Sequence, residues 1–135
     1  MVLHEWLKKR VGLPWSTDFR CLARVVEGEI VGCVGYEGFN GRSVRMHMAG
    51  NAHGWLNREF IQRAFRYPFV TLDLPMVFGV VPSGNLEALK IDKKLGFIEL
   101  MYVEGAHADG GLHFLQLTRD NWLRTKHGKQ STRSA

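Results

Sequence analysis

The chain has 135 residues, a formal net charge of +5 and 45% hydrophobic residues, which favours one globular domain with a single core. No apolar run approaches the roughly 20 residues of a membrane-spanning helix. The first ten residues carry charges in place of the apolar centre of a signal peptide. We therefore expect a cytoplasmic protein without membrane contact. Because no nucleic-acid-binding pattern occurs, we do not expect a nucleic acid as the main partner.

The C-terminal segment, 124–135, is basic and almost free of apolar residues. Three of the 18 Lys and Arg residues lie in 126–135, and none of the 13 acids does. This composition predicts a disordered tail after a domain at 1–123. The tail would either aid solubility or contact a nucleic acid or an acidic protein.

The first half of the chain predicts a short helix and an antiparallel meander. Trp6 and Leu7 would point inward from a helix at 4–10. Alternating apolar residues and turn signals predict strands at 19–26, 29–39 and 43–49. Asn40-Gly41 is a strong signal for a two-residue hairpin turn.

That turn predicts a register and therefore the face of each side chain. Val34 would pair with His47, and Tyr36 with Arg45. Cys21, Val34, Tyr36, Arg45 and His47 would share one face, and Met46 and Met48 would lie on the other with Cys33. A disulfide between the two cysteines is then not expected, since they would lie on opposite faces.

The second half predicts alternating helices and strands. Leu56, Phe60 and Ala64 form the apolar stripe of a helix at 55–67, which Pro68 ends. A connecting segment, 69–74, follows. The remaining predicted elements are a strand at 76–81, a helix at 85–95, a strand at 97–103, a Gly-rich connection at 104–111, a strand at 112–118 and a turn at 120–123.

The most informative segment is 80–97, VVPSGNLEALKIDKKLGF. A strand, a Pro-Ser-Gly turn, an Asn-x-x-Ala helix start and a Leu-Gly-Phe ending together resemble the signature of the GNAT superfamily of acyl-CoA-dependent N-acyltransferases. The resemblance implies an α+β fold with a mixed sheet, in which an antiparallel meander precedes α-β-α-β-β and helices cover both faces. Short GNAT-like proteins of phages and prophages look similar at Trp55, Arg58 and 67–69.

The resemblance implies acetyl-CoA as cosubstrate. Its pantetheine arm would lie between the strands at 43–49 and 76–81, and its pyrophosphate on the loop before the helix at 55–67, where free N–H groups favour an anion. The implied cofactor-binding residues are Met48, Ala49, Asn51, Ala52, His53, Gly54, Trp55, Val80, Val81 and Asn85.

Transfer to an amine also needs a group that accepts its proton. His47 is the first candidate, because it lies on the strand that would line the cofactor, and Glu37 and His53 are second candidates. Many GNAT enzymes carry a Tyr as general acid seven residues after the Asn, where this chain has Asp92. We expect Asp92 to be a solvated helix residue, with a pKa lowered by nearby lysines. The six histidines show no metal-ligand spacing, so no metal is expected.

The resemblance therefore implies an N-acetyltransferase that uses acetyl-CoA and acts on an amine of a small molecule or a protein. The alternative is a binding or assembly protein that keeps the fold without catalysis, as the Asp at the Tyr position suggests. The oligomeric state stays open.

Overall fold

The computed structural model describes residues 3, 6, 7, 20–50 and 54–133, with side chains as far as Lys129. Its strands are β1 Arg20–Val26, β2 Glu29–Glu37, β3 Ser43–Gly50, β4 Met76–Pro82, β5 Ile98–His107 and β6 Gly110–Thr118. Its α-helices are α1 Arg58–Arg66, α2 Leu86–Leu95, α3 Arg119–Arg124 and α4 Lys126–Arg133, and a π-helix, Tyr67–Thr71, continues from α1. None of the described helices is long and apolar enough to cross a membrane.

The six strands form one mixed sheet in the order β1-β2-β3-β4-β6-β5. β3 and β4 are parallel, and the other neighbouring strands are antiparallel. A meander followed by alternating helices and strands gives this arrangement, because a parallel pair needs a crossover connection and an antiparallel pair does not. The predicted α+β class and its mixed sheet are confirmed.

The predicted register between β2 and β3 is wrong by one residue. Gly35, not Val34, pairs with His47, and Tyr36 pairs with Met46. The Asn40 side chain accepts hydrogen bonds from the backbone N–H groups of Arg42 and Ser43, so the turn is longer than two residues. Since side chains alternate between faces, the shift moves His47 to the face of Glu37 and Cys33.

The predicted separation of the two cysteines is also wrong. A β-bulge between Arg24 and Val25 shifts β1, so that Cys21 pairs with Gly35 and Ala23 with Cys33. Cys21 and Cys33 therefore lie on the same face of the sheet. Both are free thiols, one half-buried and the other fully buried.

Helices cover the sheet unequally. On one face, called the core face below, a continuous cluster joins β2 and β3 to α1, α2 and α3. It includes Tyr36, Met46, Phe65, Leu95 and Trp122, which are all buried. On the opposite face, helical residue Leu7 packs with Cys33. Strands with apolar residues on both faces need a layer on each side, which explains the two clusters.

The local sequence fixes the two helix starts that border the sheet. Asn57 caps α1 by accepting a hydrogen bond from the N–H of Phe60, and Asn85 caps α2 by accepting one from the N–H of Ala88. The N-terminal limit of α1 is therefore Arg58 instead of 55. Gly96 ends α2 with a φ of 109°, which a residue with a Cβ rarely adopts.

The C-terminal third differs from the expectation in two places. The predicted Gly-rich connection at 104–111 is mostly strand, because β5 and β6 continue to a tight turn at 108–109. Where the composition predicts a disordered tail, the structure contains α4. This helix packs against α1 and α3, and Gly128 lies against the backbone carbonyl of Trp122.

Candidate functional site

The central feature of the sheet is the place where its two parallel strands part. β3 and β4 are paired only from Ser43–Met76 to Met46–Gly79. Beyond this point β3 stays with β2, and β4 stays with β6. The facing edges of 47–50 and 80–82 are thus left without a strand partner among the described residues, and their backbone groups can bind an extended ligand.

Two adjacent cavities occupy this gap. The first has a volume of about 330 Å³ and is lined by both parted strands, by α2 and by Trp55. The second, about 290 Å³, continues past the end of β3. Of the predicted cofactor-binding residues, the structure brings six together in these walls: Met48, Ala49, Trp55, Val80, Val81 and Asn85.

Two of the three candidate bases, His47 and Glu37, form a pair at the gap. His47 lines the first cavity, and its Nε2 lies 3.0 Å from Oε1 of the buried Glu37. Arg45 approaches the same oxygen at 3.4 Å. A carboxylate oxygen only accepts, so neutral His47 must donate its Nε2–H to Glu37 and keep Nδ1 as a proton acceptor. Burial lowers the pKa of His47, and Glu37 opposes this effect only in part, which favours the neutral form.

Asp92 is not the solvated residue that the sequence predicts. Only 6% of its surface is exposed. It projects from α2 over the core face, where its Oδ2 lies 3.3 Å from the position that a Cβ on Gly79 would occupy. Burial raises the pKa of Asp92 to about 7. The lysines that were expected to lower it are exposed, and Lys93 faces Glu99 instead.

Trp55 forms a wall of the gap and packs flat against the sheet. Gly32 and Gly50 are paired across β2 and β3, and a Cβ on either would overlap the Trp55 ring. Arg24 donates hydrogen bonds to the carbonyls of Gly54 and Trp55, at 3.1 and 3.3 Å. The glycines were not predicted to matter here, because no local pattern in the sequence links them to a Trp that follows β3.

The predicted phosphate loop is described only in part. Asn51, Ala52 and His53 lie outside the described residues, and Gly54 lies outside the cavity walls, with a φ of 79°. The start of α1 follows, where free N–H groups attract an anion. Arg58 in its first turn is exposed. Burial lowers the pKa of His127, and the charge of Arg58 adds to this effect, so the basic helix α4 lies near this end of α1.

Solved structures of N-acetyltransferases share this fold. The spermidine N-acetyltransferase SpeG from Vibrio cholerae, in complex with CoA and spermine, matches with a TM-score of 0.71 and 18% identity, over 90% of this chain and 76% of that one. Mutant forms of the spermidine/spermine N-acetyltransferase SpeG from the same organism match with a TM-score of 0.69 and 19% identity, over 90% and 78% of the two chains. At this identity the likeness shows the fold alone.

A chimera of the Vibrio cholerae enzyme with hSSAT matches similarly, with a TM-score of 0.69 and 18% identity, over 92% of this chain and 80% of that one. Comparison of the sequence with protein-family models gave no match, and comparison with curated proteins gave none. The structural likeness therefore establishes the fold, and the chemistry depends on the residues at the gap.

Proposed function

We propose that this protein is an N-acetyltransferase that moves the acetyl group of acetyl-CoA to an amine within a ternary complex. The observation that carries the proposal is the gap between β3 and β4 with the His47–Glu37 pair at its wall. The gap offers two unpaired strand edges to the amide-containing pantetheine arm of CoA. A structural neighbour that binds CoA and spermine supports this choice of ligand.

The residues fit acetyl-CoA at both ends of the gap. Val80, Val81 and Asn85 would hold the acyl end, where strand N–H groups stabilise the negative charge that develops on the carbonyl oxygen. The start of α1, with Arg58 and the neighbouring α4, would hold the phosphates. Asn51, Ala52 and His53 remain proposed contributors to that end.

His47 would serve as the base. Its Nδ1 takes a proton from the amine nitrogen as the N–C bond forms, and Glu37 stabilises the resulting imidazolium through Nε2–H. The same pair keeps the ring in one orientation. In this proposal Glu37 positions His47. Two residues that the sequence offers as separate candidate bases therefore act together.

The proposed acceptor is an amine, and the charges that line the gap guide which amines should be tested as acceptors. Among the described residues that line the two cavities, the carboxylates are Asp92 and Glu87. A polyamine carries several positive charges, so this lining offers it few partners. A useful panel therefore includes monoamines, amino acids and peptide N-termini, beside the spermidine and spermine named for the structural neighbours.

The test is release of free CoA thiol from acetyl-CoA across that panel, by the wild type and by His47→Gln. Removing a general base costs about 10²–10⁴-fold in kcat. The matched control is His113→Gln, because His113 makes a similar contact of 2.7 Å with Glu99 and does not line the gap. Thiol release that His47→Gln abolishes and His113→Gln preserves supports the proposal. Saturable binding of acetyl-CoA without thiol release for any amine would instead identify a binding protein with this fold.

A further inference from the structure

A third cavity lies on the core face, away from the gap between β3 and β4. It has a volume of about 420 Å³, which falls within the range of about 300–1,000 Å³ that is usual for small-molecule sites. It shares no lining residue with either cavity of the gap. β1 and β2 form its floor, and α1 and the π-helix form its roof. Acetyl transfer at the gap therefore leaves this cavity unexplained.

The floor of the cavity is the outer part of the sheet. Arg20 pairs with Tyr36 across β1 and β2, and Leu22 pairs with Val34. Paired residues share a face, and Tyr36 and Val34 belong to the core cluster, so Arg20 and Leu22 also lie on the core face. The Tyr36 hydroxyl donates a hydrogen bond to the backbone carbonyl of Ala64, which fixes its ring beneath α1. The floor thus combines apolar surface with the cation of Arg20.

The roof of the cavity is one side of a continuous helix. Arg63, Tyr67 and Thr71 follow one another at intervals of four residues, and Arg66 adjoins them, so all four line the cavity. The rings of Tyr67 and Tyr36 are 4.9 Å apart between centroids and inclined by 58°. Tyr67 begins the π-helix, and single π-turns are frequent at functional sites. Roof and floor therefore meet at two aromatic rings.

The charges on the described walls of the cavity are all positive. Arg20, Arg63 and Arg66 line it, and no acid does. Arg63 pairs with Glu59 at 3.2 Å, but both side chains are mostly exposed, so water weakens this attraction. Arg66 is half-buried and has no ion-pair partner in the described part of the chain. Basic residues suit the last turn of α1, but Arg20 belongs to a strand, so the helix dipole alone does not explain the cluster.

We propose that this cavity is a second binding site, which takes a small organic anion in the form of an aromatic ring that carries a carboxylate. A guanidinium group binds a carboxylate through two parallel N–H···O hydrogen bonds, and Arg66 would make them. Tyr36, Tyr67 and Leu22 offer the ring and apolar contacts that an aromatic body needs. The site does not depend on acetyl transfer, because its walls are separate from those of the gap.

The first experiment is calorimetric titration of the wild type, Arg66→Gln and Arg124→Gln with naphthoate. Arg124 is the matched control, because it is an exposed arginine of α3 that does not line the cavity. We expect one-site binding to the wild type and to Arg124→Gln, and binding at least about tenfold weaker to Arg66→Gln, since a hydrogen bond between charged groups is lost. No binding by the wild type, or equal affinities of the wild type and Arg66→Gln, would overturn the inference.

A second measurement needs only the wild type and so does not depend on the folding of a variant. Backbone amide NMR signals are followed with naphthoate and with naphthylmethylamine, which has the same rings and the opposite charge. Naphthoate should shift the signals of 20–22, 63–67 and 71, and the amine should leave them in place. Shifts confined to 47–50 and 80–82, or equal shifts with the amine, would overturn the inference. Titration with acetyl-CoA reports on the gap separately, so failure of the proposed function would be seen as a different result.

Discussion

At the scale of single residues, the structure overturns what the sequence alone suggests about Asp92. Asp92 is followed by two lysines, which suggests a solvated surface. It is buried over Gly79, which lies on a different element and has no side chain to occupy this space. Asn85, which the resemblance offers as a cofactor contact, caps α2 and also lines the cavity.

Trp55 gives a prediction at the same scale. Gly50→Ala should displace the indole ring, since the new methyl group would overlap it. We expect a loss of about 1–3 kcal/mol in the free energy of unfolding, as for other overpacked sites, and weaker binding of acetyl-CoA. Chemical denaturation and calorimetric titration measure the two effects. Gly84→Ala is the control for stability, because no atom lies within 4 Å of its new Cβ. Equal free energies of unfolding for the two variants would contradict the packing of the Trp55 ring on Gly50.

At the scale of elements, the order and type of most helices and strands follow from the sequence, and the pairing between them does not. The meander, the helix at α2 and the final hairpin are recognisable from periodicity and turn residues. The face of the sheet on which the side chains of Cys21 and His47 lie cannot be recognised in this way. One bulge in β1 and one longer turn at Asn40 each shift the pairing of a strand by one residue. A one-residue shift has no local signal in the sequence.

The helix α4 provides the prediction for this scale. Gly128 is buried, and a Cβ there would overlap the carbonyl of Trp122. Gly128→Ala should therefore destabilise the protein by about 1–3 kcal/mol, in spite of the better helix propensity of Ala. Thermal unfolding measures this change. Lys126→Ala, at an exposed position of the same helix, should leave the melting temperature nearly unchanged. A melting temperature of Gly128→Ala equal to that of the wild type would indicate a disordered segment.

At the scale of the whole molecule, Asp92 links folding to pH. Burial raises its pKa to about 7 in the folded protein, whereas in the unfolded chain the pKa lies near its ordinary value of 3.8. Between these values the folded state holds a proton that the unfolded state has lost, so the contribution of Asp92 to stability falls as pH rises from about 4 to 7. The lowered pKa of His47 acts in the opposite direction, since stability is lost as pH falls below the ordinary His value.

Comparison with Asp92→Asn separates the two effects, because both proteins keep His47. The free energy of unfolding of the variant, relative to the wild type, should be higher at pH 8 than at pH 5, by up to a few kcal/mol. Urea denaturation at the two pH values gives the difference. A relative stability that is the same at pH 5 and pH 8 would mean that the Asp92 carboxyl is not buried in its neutral form.

The central claim about the molecule is that the gap between β3 and β4 holds an acyl-CoA. Calorimetric titration with acetyl-CoA tests it most directly, with Ala88→Trp to fill the gap and Leu86→Trp as its control on the exposed side of α2. We predict saturable one-site binding to the wild type and to Leu86→Trp, and loss of binding in a folded Ala88→Trp variant. No binding by the wild type, or equal binding by all three proteins, would contradict the account.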